Sequence, residues 1–376
     1  MCRNKFTIIL ILCTITVACH SKIPQEDDIY DEQEEAVLSI NVFESNINGY
    51  SSYRIPAIIR DKHNNLYVFS EGRSSDSDFG KIDLVMRISN DGGYTWNSQK
   101  VLLSDGENKF GNPAPIYDEI NDRIILLTKW SIAGKIESDY IKGGNHNGIK
   151  LYMTYSDDCG ENWSTLHDIT SCIPDSLDWF TIGNVHGIQL RQEDNKGRLI
   201  VTGDHTINNK YYSHIIYSDD GGYNWRMGGM VSRSGTNECT VAELSDGTLI
   251  LNIRNQVGVD KYQRLQAYSF DAGESWSSAE TSSLIEPVCE GCIINYSRNE
   301  TYTDTLLFSN PASLSRDNMT IHQSTDNGVT WHKKYLVWER YSAYSDMASL
   351  NDGFFCIIFE YGSKYRSSIK LIKYKI

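Results

Sequence analysis

Five copies of the pattern Ser-x-Asp-x-Gly-x-x-Trp recur along the chain and constrain its fold more than any other feature. They begin about 50 to 70 residues apart, at Ser89, Ser156, Ser218, Ser269 and Ser324. In each copy the Ser and Asp side chains suit hydrogen bonds to turn amides, the Gly suits a positive φ, and the Trp suits packing onto its own sheet. The spaced oxygen ligands of a calcium loop are missing. We therefore interpret each copy as a turn that fastens a β-hairpin.

Short alternating apolar runs precede the repeats and lie between them, as at residues 82–88 and 213–217. At this spacing one repeat accompanies about four short strands, which is the size of a propeller blade. The chain before the first copy and after the last supplies strands for a sixth blade. The sequence thus predicts an all-β fold, a six-bladed β-propeller of four-stranded antiparallel blades over residues 38–376, closed by both ends of the chain.

The N-terminal residues have the layout of an export signal. Arg3 and Lys5 precede an apolar run over residues 6–17, which is too short to cross a bilayer comfortably. We predict a signal peptide at residues 1–18 and an acidic linker at residues 19–37. Residues 16–19 resemble a bacterial lipobox, which implies acylation of Cys19 and a lipoprotein anchored on the outer membrane or cell surface. Free secretion is the alternative.

The charge of the chain excludes one class of partner. The formal net charge is -14 and no basic block is present, so nucleic acid, which needs clustered Lys and Arg, is an unsuitable ligand. An anionic ligand would have to be captured by a few placed arginines against the overall field.

Six cysteines follow Cys19, an even number that suits an oxidising compartment, although spacing does not define their pairing. Cys289 and Cys292 have the spacing of half a zinc site, but no second Cys pair or His pair accompanies them. We predict no metal, and we expect small buried residues or a disulfide.

The segment Tyr53-Arg54-Ile55-Pro56-Ala57, together with the five repeats, resembles the signature of the sialidase (neuraminidase) family. The resemblance extends from about Val42 to the C-terminus. It implies a propeller whose central cleft binds sialic acid, and it implies an enzyme that needs no cofactor.

Binding the carboxylate of sialic acid calls for several guanidinium groups, each able to bond both oxygens. The resemblance implies that these belong to Arg54, Arg254 and Arg316. Arg298 and Arg340 are alternatives to the last of them.

A carboxylate nucleophile would meet the negative charge of the substrate, and sialidases are the known exception among glycosidases in using a tyrosine. The segment 341–346 resembles the nucleophile motif and places Tyr344 in that role, with Tyr341 as the alternative. A phenol with a pKa of about 10 needs a neighbouring base. The resemblance assigns this base to Glu238, with Glu243 as the alternative.

The family's general acid is an Asp on a loop after the opening strands, and the segment 78–87 resembles that loop. The resemblance assigns the role to Asp78, with Asp76 as the alternative, and we expect desolvation on loop closure to raise its pKa toward the working pH. Arg73 matches an arginine that lines the pocket near the 4-hydroxyl of the sugar.

Together these residues predict a retaining exo-α-sialidase that removes terminal sialic acid from sialylated glycoconjugates through a sialyl-tyrosine intermediate. The alternatives are a trans-sialidase and a non-catalytic sialic-acid-binding propeller. Linkage preference and oligomeric state stay open.

Overall fold

The computed structural model describes residues 36–75, 77–78, 80–258, 260–298, 301–364 and 366–376. The predicted signal peptide (residues 1–18), Cys19 and most of the predicted linker (residues 19–35) lie outside these ranges, as does Asp76. No helix within the described ranges is long and apolar enough to cross a membrane.

Strands dominate the described ranges, which contain 25 β-strands, one α-helix and three short 3-10 helices. The first strands are β1 (Leu38–Phe43), β2 (Ser52–Arg60), β3 (Leu66–Arg73), β4 (Ile82–Ser89), β5 (Lys100–Leu103), β6 (Lys109–Asp118), β7 (Arg123–Ser131), β8 (Ile149–Ser156) and β9 (His167–Asp168). They are followed by β10 (Trp179–Ile182), β11 (Ile188–Gln189), β12 (Leu199–Ile207), β13 (Lys210–Ser218), β14 (Arg226–Met230), β15 (Thr236–Glu243), β16 (Leu249–Asn255), β17 (Gln263–Ser269) and β18 (Glu280–Ile285). The last are β19 (Cys292–Arg298), β20 (Thr301–Pro311), β21 (Met319–Ser324), β22 (His332–Trp338), β23 (Ser342–Ser349), β24 (Phe354–Ser363) and β25 (Arg366–Lys375). The helix α1 spans Glu137–Gly143, and the 3-10 helices span Thr170–Cys172, Glu193–Asn195 and Asn351–Gly353.

The described strands hydrogen-bond into five sheets. The largest has eight strands, in the order β2-β3-β4-β6-β7-β8-β9 with β5 beside β4. A five-stranded sheet has the order β10-β12-β13-β14, with β11 also beside β12. The three four-stranded sheets are β15-β16-β17-β18, β19-β20-β21-β22 and β1-β25-β24-β23.

The prediction of six four-stranded antiparallel blades is wrong. A parallel bridge between Ile82 and Lys109 joins β4 to β6, so that eight strands share one sheet. Pairing of β11 with β12 at Ile188 gives another sheet a fifth strand. The repeats mark hairpin turns, and their number and spacing do not determine how neighbouring ladders join. The all-β class and the propeller arrangement are confirmed.

The first and last described strands pair with each other. β1 runs antiparallel to β25, with Leu38 opposite Lys373 and Phe43 opposite Ile369. β1 thereby completes a sheet whose other three strands come from the C-terminal end of the chain. This pairing satisfies hydrogen-bonding groups that a free strand edge would expose.

The five repeats form the same hydrogen-bonded turn. In every copy the Ser Oγ donates to the Asp carboxylate at 2.7–2.8 Å and accepts from the Gly amide at 2.8–2.9 Å. The Asp carboxylate then accepts from the amide four residues later, at 2.8–2.9 Å. The indoles of Trp225 and Trp331 are buried. The interpretation of the repeats as hairpin fasteners is confirmed.

The six cysteines of the described ranges are all free thiols. Cys289 and Cys292 are both buried, as are Cys239 and Cys356. The structure thus agrees with small buried residues for these four positions, rather than with a disulfide.

The repeat turns make the free energy of unfolding depend on pH. Hydrogen bonds from Thr330 and Ser324 lower the pKa of Asp326 from 3.8 to about 2. Because the folded pKa lies below the unfolded value, this stabilisation is complete above pH 3.8 and is lost as the pH falls to about 2. We expect Asp326→Asn to lower the melting temperature at neutral pH, with a difference from wild type that shrinks below pH 4.

Thermal unfolding followed by circular dichroism from pH 7 to pH 2 measures this difference. Asp175→Asn, which removes an exposed carboxylate elsewhere, should change the melting temperature little. A difference between wild type and Asp326→Asn that stays constant down to pH 2 would contradict the prediction.

Candidate active site

A cavity of about 840 Å³ opens at the ends of strands from several sheets. Its lining includes Arg54, Asp78, Glu238, Arg254, Arg316 and Tyr344. A second cavity of about 650 Å³ adjoins it and contains Arg73, and the two share Asp78, Glu137, Trp179 and Gln256. The structure therefore brings all seven predicted site residues to this pair of cavities.

Irregular strand pairing places several of these side chains. Where the register of an antiparallel strand pair shifts, as at a β-bulge, an extra residue is left unpaired. The direction of its side chain then changes. The register shifts between Arg54 and Ala57 in β2, Gly111 and Ala114 in β6, Thr236 and Cys239 in β15, and Ser342 and Ser345 in β23. Glu238 and Tyr344 lie inside two of these shifts, and Arg54 lies at the edge of another.

Buried glutamates accept hydrogen bonds from backbone amides at three of these register shifts. Three such bonds join Ile55 N to Glu360 at 2.9 Å, Asn112 N to Glu71 at 2.9 Å and Ser345 N to Glu290 at 3.0 Å. Ile55 and Asn112 have positive φ values, 51° and 53°, which side-chain-bearing residues rarely adopt. The carboxylates therefore fix a backbone conformation that the strands alone would not favour.

Tyr344, Glu238 and Arg254 form one hydrogen-bonded group in the larger cavity. The Tyr344 hydroxyl donates to Glu238 Oε1 at 2.5 Å. Arg254 Nη1 donates to Glu238 Oε2 at 2.6 Å and to the Tyr344 hydroxyl at 3.3 Å. Asn184 Nδ2 also donates to Glu238 Oε1, at 2.8 Å. Glu238 is thus positioned from three sides.

The surroundings of Tyr344 have opposing effects on its pKa. Burial and the negative charge of Glu238 raise the pKa of Tyr344 well above 10, while Arg254 and Arg316 lower it. The hydroxyl therefore keeps its proton in this structure. Glu238 is the acceptor to which that proton can move.

The other two predicted arginines lie over the ring of Tyr344. The guanidinium carbons of Arg54 and Arg316 are 5.4 and 5.5 Å from the ring centroid. Glu360 orients Arg54 through a contact of 3.2 Å to Nε, and the Val288 carbonyl accepts from Arg316 at 3.5 Å. Guanidinium groups from β2, from β16 and from the loop between β20 and β21 thus converge on one tyrosine.

Asp78, which is on the loop between β3 and β4, lies beside two arginines. Its carboxylate is 2.5 Å from Arg73 Nη1 and 3.9 Å from Arg54 Nη1. Burial raises the pKa of Asp78, but the charges of Arg73 and Arg54 outweigh it, so that the pKa is lowered. In this arrangement of the loop the arginine charges thus outweigh desolvation. Arg73 is held from the other side by Glu71, at 2.8 Å from Nε.

The geometry distinguishes most of the alternative residues. Tyr341 lines the same cavity, but Tyr344 is the residue that donates to Glu238. Glu243 is buried and accepts from the amides of residues 191 and 192, at 2.9 and 3.1 Å. Arg340 is exposed and is not among the residues that line the cavity, and the side chain of Arg298 lies outside the described ranges.

Sequence reasoning missed several buried or half-buried charged residues at the cavities. Burial raises the pKa of Glu137 and Asp204 and lowers the pKa of Lys129, which favours the neutral form of each. Glu360, the partner of Arg54, was also missed. A charged residue at the end of the apolar run 354–359 was the available signal for Glu360.

One group of metal-ligating residue types lies together in the described part of the chain, namely His186, Cys292 and Asp346, with ligand atoms within 4.8 Å of one another. Asp346 is already engaged. It accepts from the His186 ring at 2.7 Å and from the amides of Ile58 and Met347, both at 2.9 Å. The hydrogen bonds of Asp346 therefore link His186 and β2 to β23, the strand that contains Asp346.

The family model described as a BNR repeat-like domain matches residues 64–357. Sialidases from Bacteroides fragilis (strain YCH46) and Micromonospora viridifaciens are 28% and 30% identical to this chain over 320 and 364 residues. The chain belongs to the sialidase family. A solved structure, the Hadza microbial sialidase Hz136, is similar with a TM-score of 0.79 and 27% identity, and the match covers 90% of this chain and 68% of that one.

The alignments cover most of this chain but only part of the two sialidases. They span 79% and 91% of this chain, and 57% and 54% of the Bacteroides and Micromonospora proteins. This chain thus spans little more than half the length of these curated relatives.

We expect Glu360 to stabilise the fold, in addition to orienting Arg54. Its side chain is fully buried and bonds both Ile55 N and Arg54 Nε. Glu360→Leu leaves a buried amide and a guanidinium without that partner, so we expect the free energy of unfolding to fall by about 3 kcal/mol. Glu360→Gln keeps an acceptor for the amide and should lose less.

Urea unfolding of the two variants, monitored by tryptophan fluorescence, provides the measurement. If the Leu and Gln variants lost the same free energy of unfolding, the hydrogen bond from the Ile55 amide would contribute nothing to stability.

Proposed function

We propose that the chain is a retaining exo-α-sialidase, which hydrolyses terminal sialic acid from glycoproteins, glycolipids or oligosaccharides through a covalent sialyl-tyrosine intermediate. The observation that carries this proposal is the 2.5 Å hydrogen bond from the Tyr344 hydroxyl to Glu238, beneath three converging arginines. The family relationship supports the same substrate class.

Arg54, Arg254 and Arg316 bind the substrate carboxylate. Arg54 and Arg254 each use one edge of the guanidinium for a glutamate, Glu360 and Glu238 respectively. Because a guanidinium has five N–H donors, other donors remain for the ligand. Bidentate bonds from several arginines would hold the anomeric carbon, which bears the carboxylate, close to the Tyr344 hydroxyl.

In the first step the Tyr344 oxygen attacks the anomeric carbon. Its proton moves to Glu238 Oε1, the bond to the leaving oxygen breaks, and Asp78 protonates that oxygen. The products are a sialyl-tyrosine and the free aglycone. A neutral phenol avoids the repulsion that a carboxylate nucleophile would meet beside the carboxylate of the substrate.

Asp78 must be protonated for this step, although the neighbouring arginines lower its pKa in the unliganded site. A bound substrate carboxylate would offset the charge of Arg54, and the aglycone would exclude water. Both changes raise the pKa of Asp78 toward the working pH.

In the second step Asp78, now ionised, removes a proton from water as the water attacks the anomeric carbon. Tyr344 departs and recovers its proton from Glu238. Two displacements at one carbon retain its configuration. This route uses no metal or organic cofactor.

Export of the chain, and anchoring through an acylated Cys19, are further proposals. They rest on the sequence of residues 1–19, which lie outside the described ranges.

NMR of the reaction with an α-sialoside tests the proposed activity directly. We expect free sialic acid whose first-formed anomer is α, because retention requires it. A β anomer formed first would contradict the sialyl-tyrosine route. An internal anhydro sugar, or sialic acid transferred to an added galactoside, would instead indicate the trans-sialidase alternative. Binding without turnover would indicate a non-catalytic propeller.

Tyr344→Phe should lower kcat/KM for an aryl sialoside by about a thousandfold or more, because it removes the nucleophile. Tyr341→Phe, a matched change in the same cavity, should cause a far smaller loss. A fluorinated sialic acid, whose fluorine slows the second step, should add covalently to the peptide that contains Tyr344. Mass spectrometry detects the adduct, and labelling of another residue would refute the assignment.

A further inference from the structure

Lys109 is a buried lysine that the proposed reaction does not use. It begins β6 and is 8% exposed. Its backbone is fixed on two sides, by the parallel bridge to Ile82 in β4 and by antiparallel pairing with Ser131 in β7. β4 begins where the loop that carries Asp78 ends, and β7 ends where the loop over residues 132–148 begins.

The Lys109 ammonium connects these two loops. Its Nζ donates to the backbone carbonyl of Asp78 at 3.0 Å and to the backbone carbonyl of Lys135 at 2.5 Å. Hydrogen bonds from a charged donor are stronger than those between neutral groups. Lys109 thus holds the backbone of Asp78 itself, while Arg73 and Arg54 contact its carboxylate.

The charges around Lys109 act on its pKa and on that of Asp78. Burial and the charge of Lys129 lower the pKa of Lys109, Asp78 and Glu71 raise it, and Arg73 lowers it. In turn, Lys109 is one of the charges that lower the pKa of Asp78. The two groups are therefore coupled both through the backbone bond and through charge.

We propose that Lys109 is a positioning residue for the general acid: it holds the Asp78 loop against the 132–148 loop, so that the carboxyl reaches the leaving oxygen. The inference rests on the proposed function, because it assigns Lys109 a role only where Asp78 protonates a leaving group. It predicts a defect confined to substrates that need this proton.

The experiment compares two α-sialosides, an aryl sialoside whose leaving group needs little protonation and sialyllactose, whose sugar leaving group needs it. Lys109→Met should lower kcat on sialyllactose by about tenfold or more, since a positioned general acid contributes about a hundredfold or more. The kcat on the aryl sialoside should fall far less. Asp78→Ala should show the same selectivity, with a larger loss.

The pH profile supplies a second measurement. Activity on sialyllactose falls as the pH rises through the pKa of the acid. Removing the cation at Lys109 raises the pKa of Asp78, so the alkaline limb should move to higher pH in Lys109→Met. A lysine that had no charge coupling to Asp78 would not move this limb.

Controls separate the possible failures. Lys62→Met removes an exposed lysine that pairs with Asp122 and should leave both substrates unaffected. Lys109→Arg keeps the charge and the donors, and Lys109 borders the 650 Å³ cavity, which has room for the larger group. This variant should recover most of the sialyllactose activity. If Lys109→Met does not fold, the activity of Lys109→Arg tests the proposal instead.

Equal losses on both substrates, or no loss on either, would overturn the role of Lys109. Lack of turnover of the aryl sialoside by the wild type would instead refute the proposed function itself.

Discussion

Hydrogen bonds between buried carboxylates and backbone amides are the constraint on which the rest of this structure depends. Glu71, Glu290 and Glu360 each accept from a backbone amide within or at the end of a register shift. An unpaired buried amide costs about as much as a lost hydrogen bond, so the shifts persist because these acceptors are present. Two of these shifts, in β2 and β23, also place Arg54 and Tyr344 at the cavity. Fold stability and site geometry therefore rest on the same buried acids.

The cavity concentrates positive charge in a chain whose net charge is -14. It does so by pairing the arginines with buried acids, as Arg54 with Glu360 and Arg254 with Glu238. Each pair limits the cost of placing a cation away from water, and leaves guanidinium donors for an anionic ligand. The arrangement also explains why the pKa of Asp78 is lowered, since Arg73 and Arg54 lie beside its carboxylate.

Local patterns in the sequence predicted more than long-range pairing did. The five repeats predicted their turns correctly, because every bond of the turn lies within a few residues. Short motifs predicted that Tyr344, Glu238 and the arginines share one cavity, because each of these residues is recognised from its immediate neighbours in the sequence. The spacing of the repeats did not predict the bridge between Ile82 and Lys109, which joins two groups of strands. Glu360 was missed because its partner, Arg54, lies 306 positions earlier in the chain.

The pairing of β1 with β25 has a consequence for synthesis of the protein. Residue 43 finds its partner only when residue 369 has been made. Until then β1 has an edge without its neighbour, and contacts so distant in sequence form slowly. A chain that lacks β25 would therefore expose a pairing edge to other chains, which favours aggregation. Emergence of β25, rather than of any earlier strand, sets the moment at which this sheet can be completed.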